Sequence, residues 1–383
     1  MRVLVAPDSF KESLTAAQAA RAIARGVAAA CPGAEIVELP LADGGEGTVD
    51  ALVNAEKGQF VTTTVTGPLG QPVEARWGML PGGRAVMEMA AASGLALVPS
   101  SRRDPLVTTT YGTGQLLSEA VKRDCRSIIL GIGGSATNDG GAGALQALGV
   151  RLLDKEGQDL PPGGGSLKRL DSIDTAGMDP RLKEIELLVA CDVNNTLLGP
   201  QGASAVYGPQ KGANPADVTK LDEALANFAY IARQQLDKDI SGWAGSGAAG
   251  GLAAGLSLIF PLAIKPGIEL VLDSVGFDNH LTATTLVITG EGRIDRQSAM
   301  GKALSGILQR AGKKAVPVIA LAGSLELSFE EMQEMGLAGA MSIVDRPMTL
   351  ATALTEAELL LERAASQAMA LFCLDIAKPP PRG

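Results

Sequence analysis

The chain has 383 residues, of which 46% are hydrophobic and 20% are charged, and its formal net charge is −9. This length favours two domains with cores of their own, and the apolar content excludes a largely disordered chain. Because a negatively charged surface repels phosphate backbones and anionic lipids, we expect neither a nucleic acid nor a membrane as a partner.

Cysteine usage and the first residues indicate where the protein works. The four cysteines lie far apart without a CxxC pair, which favours reduced thiols over a disulfide framework or a zinc site. The opening residues MRVLVAPDSFKES lack the apolar region of a signal peptide. We therefore expect a cytoplasmic protein.

The N-terminal segment has the pattern of a βαβ unit. A short apolar run at 3–5 precedes the polar loop PDSFKES, and apolar residues then recur at helical spacing over 15–30. A second apolar run, at 36–41, leads through the loop ADGGEG to a helix that starts near Thr48. This order predicts two parallel strands joined by a helix.

The C-terminal third repeats this alternation. It predicts a strand at 286–289, a loop with the sequence GEGRID, and a helix from about Gly301. A strand at 316–321, a further helix and a strand at 340–344 follow. This part of the chain is therefore also expected to be α/β.

The middle of the chain is less regular, with an alternating stretch at 61–77 and a strand at 127–130 before the loop GIGGSATNDGGAG. We expect two α/β domains. A Rossmann-like doubly wound parallel-sheet domain would be formed by both chain ends, residues 1–62 and 283–383, and an inserted α/β domain would span 63–282. The active site is expected in the cleft between them.

Both N-terminal loops follow predicted strands at their carboxyl ends, where parallel sheets bind ligands. They present Asp8, Lys11 and Asp43, a combination suited to metal, phosphate and hydroxyl chemistry. The alternative is that residues such as Asp43 only cap the following helix.

The glycine-rich loop at 131–143 lies between a strand and a helix, so its backbone N–H groups are suited to surround a phosphate. The candidate nucleotide-binding residues here are Gly133, Gly134, Ser135, Thr137, Asn138, Asp139 and Gly140. A turn that lets helix and strand pack closely explains some of the glycines but not the four polar residues. A partial dinucleotide fingerprint in the same loop leaves an NAD-dependent oxidoreductase as an alternative.

Two further loops carry candidate ligands. Asp192 directly follows a predicted strand at 185–190, where a hard oxygen ligand for Mg²⁺ would be useful, although an Asx turn explains it equally well. The segment GEGRID offers Glu291, Arg293 and Asp295. Solvated loop charge is the alternative there, but the segment leaves the same predicted sheet edge as the first two loops.

The absence of two known motifs limits the classes of enzyme to which the chain can belong. The sequence has neither the P-loop pattern GxxxxGK[ST] nor the nucleophile pattern GxSxG. Since His280 is the one histidine, a general base is expected to be a carboxylate or a lysine.

Several long motifs occur in a fixed order: PDSFKES, PLADGGEGT, VTGPLG, MEMAAASGL, GIGGSATNDGGAGALQALG, ACDVNNTLLGPQGA, GPQKGA and VITGEGRID. In these motifs the chain resembles the bacterial type I glycerate kinases from Arg2 to about residue 345. The resemblance implies ATP and Mg²⁺ as cofactors, D-glycerate as the acceptor, and 2-phosphoglycerate as the product, in glyoxylate or sugar-acid catabolism. Phosphorylation of the 3-hydroxyl is the alternative.

Phosphoryl transfer requires neutralised phosphates, an aligned acceptor hydroxyl and a group that accepts its proton. We expect the loop from Gly133, together with Glu291, to hold the nucleotide, and Asp192 and Asp295 to hold Mg²⁺. The remaining candidates are catalytic: Lys11 or Arg293 pairs with the glycerate carboxylate or the transferred group, and Asp8 or Asp43 is the base. A monomer or homodimer is expected.

Overall fold

The computed structural model describes residues 1–42, 44–45, 47–296 and 303–374. Its strands are β1 (Arg2–Val5), β2 (Glu35–Glu38), β3 (Gln59–Thr66), β4 (Pro72–Leu80), β5 (Arg84–Glu88), β6 (Ser127–Gly131), β7 (Arg151–Leu153), β8 (Ser172–Asp174), β9 (Glu186–Ala190), β10 (Leu262–Lys265), β11 (Leu286–Ile294), β12 (Val318–Leu325) and β13 (Gly339–Ser342). Its α-helices are α1 (Ala16–Ala30), α2 (Thr48–Ala55), α3 (Ala90–Ser93), α4 (Tyr111–Lys122), α5 (Ala142–Ala147), α6 (Ala203–Tyr207), α7 (Pro215–Leu236), α8 (Leu252–Leu256), α9 (Gly267–Ser274), α10 (Phe277–Leu281), α11 (Ala303–Lys313), α12 (Phe329–Met335), α13 (Leu350–Thr355) and α14 (Ala357–Phe372).

The chain divides into two compact units. The terminal unit comprises Met1–Asp43 and Ile268–Gly383, and the middle unit comprises Gly44–Gly267. Both boundaries lie earlier in the chain than those expected after residues 62 and 282. The reason at the first boundary is that β3 pairs along its whole length with β4 of the middle unit. At the second, carboxylates of α9 and α10 form ion pairs with Arg310 of α11, which holds both helices in the terminal unit.

The terminal unit contains a five-stranded sheet in the order β13-β12-β11-β1-β2, and all its neighbouring strands are parallel. Counted along this unit alone, the order is 2-1-3-4-5, which is a doubly wound arrangement. The expected parallel α/β sheet is therefore confirmed. The strand order reverses between β1 and β11, so the carboxyl ends of these two strands form the switch point at which such sheets bind ligands.

Burial explains why these segments form the centre of the sheet. The side chains of Val3 and Val5 in β1 and of Leu286 and Ile288 in β11 are all fully buried, as expected for parallel strands covered on both faces. Helix α1 begins at a capping box in which Thr15 and Gln18 bond each other's backbone N–H groups. Helices α1 and α14 then pack against the buried side chains of this sheet in one hydrophobic cluster.

The middle unit contains a six-stranded sheet in the order β10-β9-β6-β5-β4-β3. The first four strands are parallel, and β4 and β3 continue the sheet antiparallel. A separate two-stranded sheet pairs β7 with β8. The fully buried Trp77, Leu130 and Phe228 belong to the hydrophobic core of this unit. Its parallel half aligns the carboxyl ends of β5, β6 and β9 at one edge.

An apolar stretch of the sequence, residues 252–264, forms α8 and then most of β10. No helix within the described ranges is long and apolar enough to cross a membrane.

Candidate active site

The switch point of the terminal unit brings two of the predicted loops together. The backbone N–H of Asp8, just after β1, donates to the carbonyl oxygen of Gly290 in β11 at 2.9 Å. One step inward, Thr289 Oγ1 donates to the carbonyl oxygen of Ala6 at 2.8 Å. Asp8 and Glu291 consequently line the same narrow crevice. This pair of carboxylates lies where the strand order predicts a ligand.

The segment PDSFKES continues alongside β11. The backbone nitrogen of Lys11 lies 3.5 Å from the position that a Cβ atom on Gly292 would take. The side chain of Lys11 is exposed. The structure therefore places the backbone of Lys11 beside the end of β11 and leaves its side chain accessible to solvent.

The segment GEGRID was expected as a loop, but its first five residues, 290–294, are the end of strand β11 and only Asp295 follows the strand. Arg293 pairs in register with Ser324 and Ile294 with Leu325, so β12 holds this segment extended. Strand pairing fixes the alternation of side chains, which a free loop would not do. The expectation of a loop at this position was therefore wrong, and the charged side chains stand on a rigid strand.

Arg293 lies between two carboxylates of the terminal unit. Its Nε atom is 3.2 Å from Asp295 Oδ2, and its Nη2 atom donates to Glu326 Oε2 at 2.8 Å. The Arg293 side chain is 61% exposed, so solvent screens both ion pairs and each contributes little to stability. A guanidinium held in this way is accessible to the carboxylate or phosphoryl group of a small anion.

The glycine-rich loop of the middle unit follows β6 and leads into α5. Gly133 and Gly134 are exposed, whereas Ser135 and the residues from Thr137 to Gly140 are buried. A Cβ atom on Gly131, at the start of the loop, would lie 2.6 Å from the carbonyl oxygen of Gly44, so only glycine fits there. The predicted nucleotide residues thus separate into an exposed backbone pair and a buried group.

Asp139 organises the buried part of this loop. Its carboxylate accepts hydrogen bonds from the backbone N–H and Oγ1 of Thr110, both at 2.9 Å. It also accepts from the N–H groups of Gly141 and Gly143 at 3.1 and 3.2 Å. Burial raises the pKa of Asp139, while these donors oppose the rise. Asp139 therefore joins the loop to the start of α4 and of α5.

Two residues at this edge of the sheet were not among the sequence candidates. Glu88 ends β5 opposite Gly131, and its Oε1 atom accepts a hydrogen bond from the N–H of Val49 at 3.0 Å. Lys211 is buried, and its Nζ atom donates to the carbonyl oxygen of Thr137 at 2.7 Å. The position of Glu88 at the end of a strand was a usable signal, since functional side chains collect there. Lys211 lies in the motif GPQKGA, but its burial is not visible in the sequence.

The two predicted metal ligands belong to different units. Asp192 is exposed after β9, and its Oδ1 atom accepts a hydrogen bond from the N–H of Gly267 at 2.8 Å. Asp295 follows β11 and pairs with Arg293 as described. Within the described ranges, no group of three or more His, Cys, Asp or Glu residues is arranged to hold a metal ion. Asp43, the other candidate base, lies outside the described residues.

Comparisons with known proteins agree over nearly the whole chain. The sequence model of the Glycerate kinase family matches residues 3–373. A glycerate kinase of Halalkalibacterium halodurans is 51% identical, over 95% of this chain and 96% of its own length. The glycerate 2-kinase of Escherichia coli is 48% identical, over 91% of this chain and 92% of its own length.

A solved structure extends the agreement to the fold. The crystal structure of a protein named glycerate kinase 2 from Salmonella typhimurium LT2 superimposes with a TM-score of 0.89 at 46% sequence identity, covering 97% of this chain and 98% of that one. The resemblance expected from the motifs is therefore confirmed, as is a kinase activity in place of the oxidoreductase alternative. On this evidence the chain is an enzyme that belongs to the glycerate kinase family.

Proposed function

We propose that the protein transfers the γ-phosphoryl group of ATP to the 2-hydroxyl of D-glycerate, producing 2-phosphoglycerate and ADP. The observation that carries this proposal is that Asp8 and Glu291 line one crevice at the switch point, in a chain of the glycerate kinase family. The 2-position is supported by the name of the Escherichia coli relative, a glycerate 2-kinase. Transfer to the 3-hydroxyl is the competing outcome.

The acceptor is proposed to bind at the end of β11. Glycerate is a small anion, and its carboxylate requires a cation with accessible donors. Exposed Arg293 offers a planar guanidinium for two parallel hydrogen bonds, and Lys11 offers a mobile ammonium. Asp8 stands beside them as the group that takes the proton of the attacking hydroxyl, and Asp43 remains the second candidate base.

The nucleotide is proposed to bind at the glycine-rich loop. Gly133 and Gly134 expose backbone N–H groups, which suit phosphate oxygens. Thr137, Asn138 and Asp139 are fully buried. We assign to these three side chains the task of shaping the loop rather than touching ATP. Glu291 keeps its proposed place among the nucleotide-binding residues.

Asp192 and Asp295, which follow strand ends of the two units, are the proposed ligands of Mg²⁺. Proteins usually hold Mg²⁺ through one or two carboxylates together with substrate phosphates, and Asp192 and Asp295 are hard oxygen donors of this kind. When bound, Mg²⁺ would neutralise negative charge on the β- and γ-phosphates. Both assignments are proposals. We also propose a cytoplasmic location, which we infer from the use of ATP. The protein is further proposed to be a monomer or a homodimer.

The test measures ADP formation by the purified protein in the complete reaction mixture and in mixtures that each lack ATP, Mg²⁺ or D-glycerate. We expect ADP only when ATP, Mg²⁺ and D-glycerate are all present, with activity lost on chelation by EDTA and restored by added Mg²⁺. L-glycerate serves as the control for acceptor geometry. ADP release that does not depend on D-glycerate would contradict the proposed acceptor, and no ADP release under any condition would contradict the dependence on ATP.

A further inference from the structure

Lys211 is buried to an extent that is unusual for lysine. It ends a short 3₁₀ turn, Pro209–Lys211, and only 1% of its surface is exposed. Lysines are almost never fully buried unless they are paired, because removal of an ammonium group from water is costly. A specific interaction must therefore compensate for this burial.

That interaction is with the glycine-rich loop. Lys211 Nζ donates to the carbonyl oxygen of Thr137 at 2.7 Å, a length typical of a strong hydrogen bond. Thr137 lies three residues after the exposed Gly134. The same carbonyl also lies against Gly250, where a Cβ atom would approach it to 2.2 Å. The loop is thus held between an ammonium group and a closely packed backbone.

Besides the Asp139 carboxylate, uncharged groups also contact the loop. Thr108 Oγ1 donates to the carbonyl oxygen of Ala136 at 2.8 Å, and Asn138 Nδ2 donates to Ser204 Oγ at 2.9 Å. Thr137 Oγ1 and Asn138 Oδ1 are buried and have no hydrogen-bond partner among the described residues. The side chain of Thr137 therefore does not anchor its own segment through its hydroxyl group, and the bond from Lys211 to its carbonyl carries that task.

The electrostatics of Lys211 support a link to an anion. Burial lowers the pKa of Lys211 to about 7, and the negative charge of Asp139 opposes this shift. Arg103 belongs to the adjoining segment, and its carbonyl oxygen lies 2.2 Å from the position of a Cβ atom on Gly212. A phosphate group near the loop would favour the protonated form of Lys211.

We propose that Lys211 is a positioning residue for nucleotide binding, which fixes the Thr137 carbonyl and thereby holds the backbone of Gly133 and Gly134 in the form that binds phosphate. The inference rests on the proposed function, since it assumes that this loop binds ATP. Lys211 itself is buried and is not assigned a contact with the nucleotide.

The first test compares Lys211→Met, which keeps the aliphatic volume, with Lys220→Met. Lys220 is a matched control because it is exposed on α7 and forms an ion pair with Asp217 three residues earlier. We expect Lys211→Met to raise KM for ATP about tenfold or more, because the buried carbonyl of Thr137 loses its hydrogen-bond donor, with KM for D-glycerate within about twofold of wild type. Lys220→Met should change neither constant.

A purely structural role would reduce the amount of active enzyme and leave KM for ATP unchanged. A folded Lys211→Met protein with wild-type KM for ATP would therefore overturn the inference. If the wild-type protein itself does not use ATP, the proposed function fails independently of Lys211.

The second test uses wild-type protein, so it does not depend on a variant that folds. The N–H groups of Lys211, Gly212 and Ala213 are bonded to the carbonyl oxygens of Gly208 and Pro209, so their hydrogen exchange reports on the opening of this turn. A non-hydrolysable ATP analogue should slow exchange both in the loop 131–143 and at 211–213. Protection of the loop alone would overturn the role of Lys211, and absence of protection in the loop would count against the proposed nucleotide site.

Discussion

The backbone N–H of Asp8 donates a hydrogen bond of 2.9 Å to the carbonyl oxygen of Gly290. This bond joins segments from opposite ends of the chain at the switch point of one parallel sheet. It holds the Asp8 carboxylate beside Glu291 in one crevice. The side chains of the two strands that lead to this crevice, β1 and β11, are fully buried at Val3, Val5, Leu286 and Ile288. A group positioned by two rigid strands is suited to accept a proton from a bound hydroxyl, since such catalysis depends on geometry first.

Asp8→Asn should lower kcat by about 10²- to 10⁴-fold, the range for loss of a general base, with small changes in both KM values. The substitution preserves shape and removes basicity. Steady-state kinetics on the purified variant measure the effect, and Asp237→Asn is the control, since Asp237 is exposed and has a left-handed backbone that asparagine tolerates. Unchanged kcat in Asp8→Asn would leave Asp43 as the candidate base.

Arg293→Gln should raise KM for D-glycerate about tenfold or more, because a bidentate cation for a carboxylate is lost. Stability should change by less than about 1 kcal/mol, since both ion pairs of Arg293 are exposed to solvent. The control is Arg151→Gln, which breaks a comparable exposed pair with Asp159 in the middle unit. A wild-type KM for D-glycerate in Arg293→Gln would assign the carboxylate contact to Lys11.

Asp139→Ala should destabilise the protein by roughly 3–5 kcal/mol, the cost of removing one partner from a buried, fully bonded charge. The N–H groups of Gly141 and Gly143 and both donors of Thr110 would then be buried without their acceptor. Urea unfolding measures the change, and Asp171→Ala at an exposed position should lie within about 0.5 kcal/mol of wild type. Equal stabilities for the two variants would contradict the structural role of Asp139.

The burial of Lys211 also predicts a pH dependence of stability. Its pKa is about 7 in the folded protein, against an ordinary value of 10.5, so between these values the unfolded chain binds more protons than the folded one. The free energy of unfolding should then rise with pH across this window, by up to about 1.4 kcal/mol per pH unit from this group. This gain in the free energy of unfolding is complete above about pH 10.5 and is lost as the pH falls to about 7.

Urea unfolding of wild type and Lys211→Met between pH 7 and pH 9.5 tests this prediction. Asp139 is present in both proteins, so the difference between them isolates Lys211. We expect wild type to gain stability relative to the variant as the pH rises. Parallel stability curves over this range would show that Lys211 keeps an ordinary pKa.

Strands that are marked by a run of apolar residues, and the polar loops that follow them, were predictable from the sequence. The apolar runs at Val3–Val5 and from Leu286 correctly placed β1 and β11, and the polar residues that follow them lie at the expected sheet edge. The extension of β11 through Arg293 was not predictable, because GEGRID has the glycines and charges of a loop. Pairing with β12 overrides that local preference, and a single sequence does not show such pairing.

The buried state of the glycine-rich loop was also missed. Thr137, Asn138 and Asp139 are polar, and their composition alone suggested ligand contacts. Their actual partners, such as Thr110, Ser204 and Lys211, come from distant parts of the chain. Periodicity and spacing report on local structure, whereas a buried polar network depends on tertiary contacts.

Proton-coupled phosphorus NMR of the reaction with ATP, Mg²⁺ and D-glycerate tests the central claim most directly. A phosphate on the 2-hydroxyl is attached through a carbon with one hydrogen, so its signal is a doublet, whereas a phosphate on the 3-hydroxyl is attached through a CH₂ group and gives a triplet. We predict a new phosphomonoester doublet that grows as ATP is converted to ADP. A triplet would contradict the assignment of the 2-position, and an unchanged ATP spectrum would contradict the proposed phosphoryl transfer itself.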